Sequence, residues 1–149
     1  MDKINEILNE RERLLRDKNW SIRDKKILEN ILLINEPEYF NKGITEKLIN
    51  KLIKLEEQYL KYVIPQLIEM LKDLNWPGSM TSLEFLCKLP SDKYISHLED
   101  CMKLAIDDND YDWIYGIFYL IENANIEKKD FNNKYIYIKS KEIYDIYFI

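Results

Sequence analysis

Residues 65–90, PQLIEMLKDLNWPGSMTSLEFLCKLP, decide the fold class. Leu67, Ile68, Leu71 and Leu74 recur at the spacing of one apolar helix face. The run Asp73-Leu74-Asn75-Trp76-Pro77-Gly78-Ser79 then interrupts that face. Pro77 pushes Trp76 out of helical backbone geometry, and Asn75 and Gly78 tolerate a left-handed backbone. Ser79 or Thr81 is placed to cap a second helix that carries Leu83, Phe85, Leu86 and Leu89. The stretch therefore reads as a helix, a polar corner and a helix.

The same device recurs along the chain. Each of the three tryptophans closes an Asp-x-Asn/Asp-Trp tetrad: Asp17 to Trp20, Asp73 to Trp76 and Asp110 to Trp113. Each tetrad separates two helical patterns, so Trp20, Trp76 and Trp113 read as wedges at helix starts, with Asp73, Asn75 and Pro77 shaping the central corner.

Outward toward the N-terminus, Ile4, Ile7, Leu8, Leu14 and Leu15 mark an amphipathic helix over 3–17. A second opens at Ser21 and ends at Asn35-Glu36-Pro37, and a third opens at Thr45. Pro65 is tolerated only in a first helical turn, which predicts a break near Tyr62–Ile64.

Outward toward the C-terminus, Ser91 or Asp92 caps a helix carrying Tyr94, Ile95, Leu98, Met102, Leu104, Ala105 and Ile106. Asp107-Asp108-Asn109-Asp110 connects it to a helix from Tyr111 to Asn123 that buries Trp113, Ile114, Ile117, Phe118, Leu120 and Ile121. In the tail, Lys134 to Ile138 alternates like a short strand, while Ser140 onward suits a last helix, the preferred reading.

With few Gly and Pro and 33% charged residues, the 149-residue chain is a single all-α domain over 1–149, built of N-terminal helices over 1–58, a core over 60–123 and a tail over 124–149. About seven or eight helices in antiparallel pairs predict a HEAT-like α-solenoid or a compact helical bundle.

Residues 1–74 hold 14 basic and 14 acidic side chains, and residues 75–149 hold 8 and 13, so the net charge of −5 belongs to the second half. That balance argues against nucleic-acid or anionic-membrane binding and for a basic protein partner. No apolar run suits a signal peptide or a membrane span, which implies a cytoplasmic protein. Cys87 and Cys101 lie in helical patterns and read as buried, unbridged thiols.

The sequence calls for no metal or cofactor. Asp108-x-Asp110-x-Asp112 has the start of a calcium loop, but Trp113 stands where such a loop needs Gly and Tyr119 where it needs Glu. His97 and Cys101 are four residues apart, a spacing that admits a Cys–His dyad or half of a zinc site, which would need two more ligands where the sole other Cys is Cys87. A surface histidine beside a core cysteine is the simpler account.

The most suggestive surface is Tyr111, Tyr115 and Tyr119, at i, i+4 and i+8, beside Asp107, Asp108, Asp110 and Asp112. Aromatic rings flanked by carboxylates suit a cationic protein surface. The same rings would equally pack beneath the Tyr-rich tail.

From Leu71 to Ser79, then at Leu89-Pro90 and at Asp110 with Trp113, the chain resembles bacterial domain of unknown function 5071, over roughly residues 60–123. Residues 1–58 carry no signature of it. The resemblance implies a small HEAT-like all-α fold without catalytic residues, and by analogy an immunity protein that silences a toxin. The sequence-level expectation is a non-enzymatic protein-binding module. A metal-dependent or Cys/His enzyme built on Cys87, His97, Cys101 and the Asp cluster is the alternative, as is a homodimer joined through the C-terminal aromatics.

Overall fold

A computed structural model describes residues 64–76 and 78–149. Trp20, Pro77 and the helices expected over 3–17 and from Ser21 and Thr45 lie outside the described residues, as does most of the expected break near Tyr62–Ile64. The described residues form helices and turns with no strand. Helix α1 covers 64–69 and tightens into a 3-10 turn, Met70–Lys72. It is followed by α2 (Ser79–Lys88), a 3-10 turn (Ser91–Lys93), α3 (Ile95–Asp107), α4 (Tyr111–Asn123), a 3-10 turn (Lys128–Asp130) and α5 (Lys134–Phe148). Ile64 is already helical, so Pro65 does not open α1.

Helix α4 is the hub. It packs against α2, α3, α5 and the turn that ends α1. Its composition requires this: Trp113, Ile114, Gly116, Ile117, Phe118, Leu120 and Ile121 are all buried, leaving little of the helix for water. Its bounds and its six buried apolar side chains match the periodicity of the sequence.

Helices α3 and α4 end in the same way. Asn109 and Asn125 take the left-handed conformation, at φ 54° and 55°. The N–H that follows each reaches back five residues: Asp110 to the Ala105 carbonyl at 2.8 Å, and Ile126 to the Ile121 carbonyl at 2.9 Å. These are Schellman caps, in which Asn accepts a backbone geometry most side chains resist.

The central corner is built differently from its expected form. The Asp73 carboxylate accepts the Asn75 N–H at 2.8 Å, an Asx turn that spares Asn75 a left-handed backbone. Gly78 alone takes the positive φ there, at 87°. Ser79 is the first residue of α2 and caps nothing. Its buried hydroxyl lies 2.8 Å from the carbonyls of both Met70 and Asp73, so its single proton ties α2 back to the end of α1.

Further along, Ser91 and Asp92 sit in a 3-10 turn and do not cap α3, which begins at Ile95. Leu104 is exposed, because it lies across the helix from Leu98, Met102 and Ala105. The tail contains no strand. Asn133, not Ser140, caps α5 by accepting the Ile136 N–H at 3.2 Å, and the buried Glu99 carboxylate accepts the Asn133 N–H. Helical spacing sets Ile136, Tyr137, Ile143 and Tyr144 on one side of α5, against the core.

Tyr94 is fully buried and its hydroxyl has no hydrogen-bond partner among the described residues. Burial, and then the nearby Cys87, push its phenol up to about 12. The neutral phenol therefore stabilises the fold fully below the ordinary Tyr value near 10, and that contribution is lost as pH rises through about 12. Tyr94→Phe removes an unpaired buried hydroxyl at constant shape. It is expected to raise the melting temperature by about 2–4 °C, for roughly 1 kcal/mol, and to flatten the alkaline fall in stability. A lowered melting temperature in the thermal scan would contradict this.

Candidate protein-binding surface at the α3–α4 corner

Asp110 serves both helices at the corner. Its N–H closes the cap of α3, and its carboxylate opens α4 by accepting the Trp113 N–H at 3.1 Å. The carboxylate is therefore committed to the backbone, with its charge at the positive end of α4. Asp107, Asp108 and Asp112 are exposed and have no ion-pair partner among the described residues.

Trp113 points the other way. It is buried, and its Nε1–H donates to the Ile68 carbonyl at 3.1 Å. Lys72 Nζ stands 4.4 Å from the ring centre and is ion-paired to Glu69 at 3.6 Å. Trp113 thus fastens the start of α4 to the end of α1, as a wedge between rods would. Trp76 is half-buried in the turn before α2, so the two described tryptophans occupy different positions relative to their helices.

The tyrosine stripe of α4 packs beneath α5. Tyr111 stacks on Tyr147 with centroids 4.4 Å apart. Tyr115 lies 5.0 Å from the Phe148 ring and 6.4 Å from those of Tyr144 and Tyr119. Tyr119 is half-buried, and its carbonyl accepts the Asn123 side-chain amide at 2.7 Å. The stripe is not sealed: Tyr115 and Tyr147 remain exposed, at 39% and 56%. The Tyr111 hydroxyl donates to the Asn109 side-chain carbonyl at 3.4 Å, and the neighbouring Tyr147 pushes the Tyr111 phenol up.

The result is a mixed surface in which rings from two helices stand beside Asp107, Asp108 and Asp112. Tyr147 and Phe148 are the members the sequence reading missed. The signal for Phe148 was the spacing Tyr137, Tyr144, Phe148, one aromatic face of a helix from Lys134; Tyr147 lies off that face.

Beyond this corner, a groove of about 340 Å³ runs between α4 and α5 over Phe118, Ile121, Ile126 and Tyr137. Lys141 is held there by Asp145 at 3.0 Å and lies over the Phe118 and Tyr144 rings. Burial, then Glu122, raises the Tyr144 phenol, whose hydroxyl donates to Glu122 at 3.4 Å.

The thiol and imidazole do not assemble into a ligand set. Cys87 lies on α2, half-buried, and burial followed by Glu84 pushes its thiol up, away from the reactive thiolate. His97 is half-buried on α3 and Cys101 is buried. Among the described residues no three His, Cys, Asp or Glu side chains gather where a metal would bind, and no helix is long and apolar enough to cross a membrane.

A family model described as a domain of unknown function, DUF5071, matches residues 41–141. The match reaches beyond the motif-bearing residues in both directions and takes in residues 41–58, where the sequence reading found no signature. No curated protein and no solved structure matches the chain.

Proposed function

Because the chain belongs to the DUF5071 family, whose function is unknown, we propose a role from the surface alone: a non-enzymatic module that binds a basic protein partner at the α3–α4 corner. The carrying observation is the stack of half-buried Tyr111 with exposed Tyr147, beside three exposed carboxylates with no ion-pair partner among the described residues. Aromatic rings supply contact area at low entropic cost, and rim carboxylates steer a cationic surface into register. The packing of α2 on α4 and of α3 on α5 suits stacked, HEAT-like helix pairs, which present such corners along one edge. The most concrete version is an immunity or inhibitor protein, cytoplasmic, whose partner is a toxin with a basic face.

The test is a binding measurement against the product of an adjacent gene, comparing wild type with Asp108→Lys/Asp112→Lys. Reversing both charges is expected to slow association by roughly 10-fold or more at low salt and to remove its salt dependence. An unchanged association rate in a variant with an unchanged melting temperature would overturn the assignment.

A further inference from the structure

Helix α5 has two apolar faces. One, through Ile136, Tyr137, Ile143 and Tyr144, packs on the core. The other carries Tyr135, Ile138, Ile146 and, just past the helix end, Ile149, exposed at 66, 41, 73 and 82%. At 100° per residue these four positions and Glu142 fall within a sector of about 80°. A helix that is apolar on opposite sides is ordinarily covered on both, and contiguous exposed apolar surface marks an interaction site.

The pattern identifies the cover. Tyr135 and Ile149 are equidistant from Glu142, and so are Ile138 and Ile146. A stripe symmetric about its own midpoint is self-complementary under a two-fold axis, the property an isologous interface requires. We propose that the outer face of α5 pairs antiparallel with α5 of a second copy of this chain, about a two-fold axis at Glu142.

The charges agree with this pairing. Antiparallel packing sets Tyr135 against Ile149 of the second copy, and Ile138 against Ile146. On one flank, Lys139 falls about 4.5 Å along the axis from Glu142 of the second copy, so two lysines bracket the two central glutamates. On the other flank, Lys141 falls about 3 Å along the axis from Asp145 of the second copy. The ion pair already present within α5, Lys141 to Asp145 at 3.0 Å, then becomes a ring of four alternating charges. A parallel arrangement would instead set each lysine beside its own copy. Half of the stripe lies past residue 141, where the family match ends.

Two measurements on the full chain test the proposal. Sedimentation equilibrium is expected to show a monomer–dimer equilibrium, with Ile146→Asp weakening it roughly 10-fold or more at unchanged helicity. Oxidation is expected to link Glu142→Cys into a covalent dimer, because facing positions on packed helices come within the reach of a disulfide, about 7 Å between Cα atoms. Tyr135→Cys, about 21 Å from its own mate in an antiparallel pair, stays unlinked. The native chain, with Cys87 and Cys101, is the control. A monomer at every concentration overturns the proposal, as does a dimer untouched by Ile146→Asp. Linking of Tyr135→Cys in place of Glu142→Cys overturns the antiparallel order. None of these positions belongs to the α3–α4 corner, so loss of partner binding with the dimer intact separates the two assignments.

Discussion

Replacing Gly116 with alanine is expected to lower the melting temperature by about 4–8 °C, a loss of roughly 2 kcal/mol. Gly116 lies in the middle of α4, where a Cβ would stand 1.9 Å from the carbonyl oxygen of Leu71 and 2.9 Å from its carbonyl carbon. Both obstacles are backbone, so no rotamer change relieves the clash; α4 must move away from the turn that ends α1. The sign is the test. In an open helix the same substitution would stabilise by about 1 kcal/mol, because alanine is the better helix former. A raised melting temperature in calorimetry would show that α4 and the Leu71 backbone do not touch.

The second large effect is at Trp113. Trp113→Ala is expected to cost about 3–5 kcal/mol, the range for truncating a large buried aromatic and a major fraction of a typical domain's stability. Trp113→Phe keeps most of the apolar contact but withdraws the Nε1–H from the Ile68 carbonyl, and is expected to cost about 1–3 kcal/mol. The Ile68 carbonyl lies near the end of α1, where helical carbonyls begin to lose their in-helix partners. Denaturant unfolding of the pair separates volume from hydrogen bonding. Equal midpoints for Trp113→Phe and wild type would show that the indole N–H contributes nothing, and the tie between α1 and α4 would then be packing alone.

Both sites bear on what was readable in the sequence. Helix α4 was legible to the residue because three signals coincide: a capping Asp110, an apolar period and Asn125 past its end. The burial of Trp113 followed from that period; its hydrogen bond to a carbonyl 45 residues away did not. Gly116 was invisible for the same reason, since nothing local says which backbone will approach it. At the central corner the residue types were right and their roles were exchanged. Asp73 spends its side chain on Asn75, and Ser79 spends its own on the end of α1. The tail was ambiguous because Tyr135, Tyr137 and Ile138 carry β-forming side chains in a strand-like alternation, and the preferred helix is what forms. Helix prevailed there because only its spacing brings Tyr137 and Tyr144 together onto Phe118. At the candidate site, the carboxylates and tyrosines were visible from spacing, whereas the lid of Tyr147 and Phe148 was a tertiary fact.

The double duty of Asp110 has a consequence for recognition. One residue closes α3 with its N–H and opens α4 with its carboxylate, so no slack chain separates the two helices. The backbone that displays Asp107, Asp108 and Asp112 is thereby frozen before any encounter. A ligand protein that docks there meets preorganised charge and forfeits little loop entropy on the acidic side, so complexes at this corner should form by rigid-body fit.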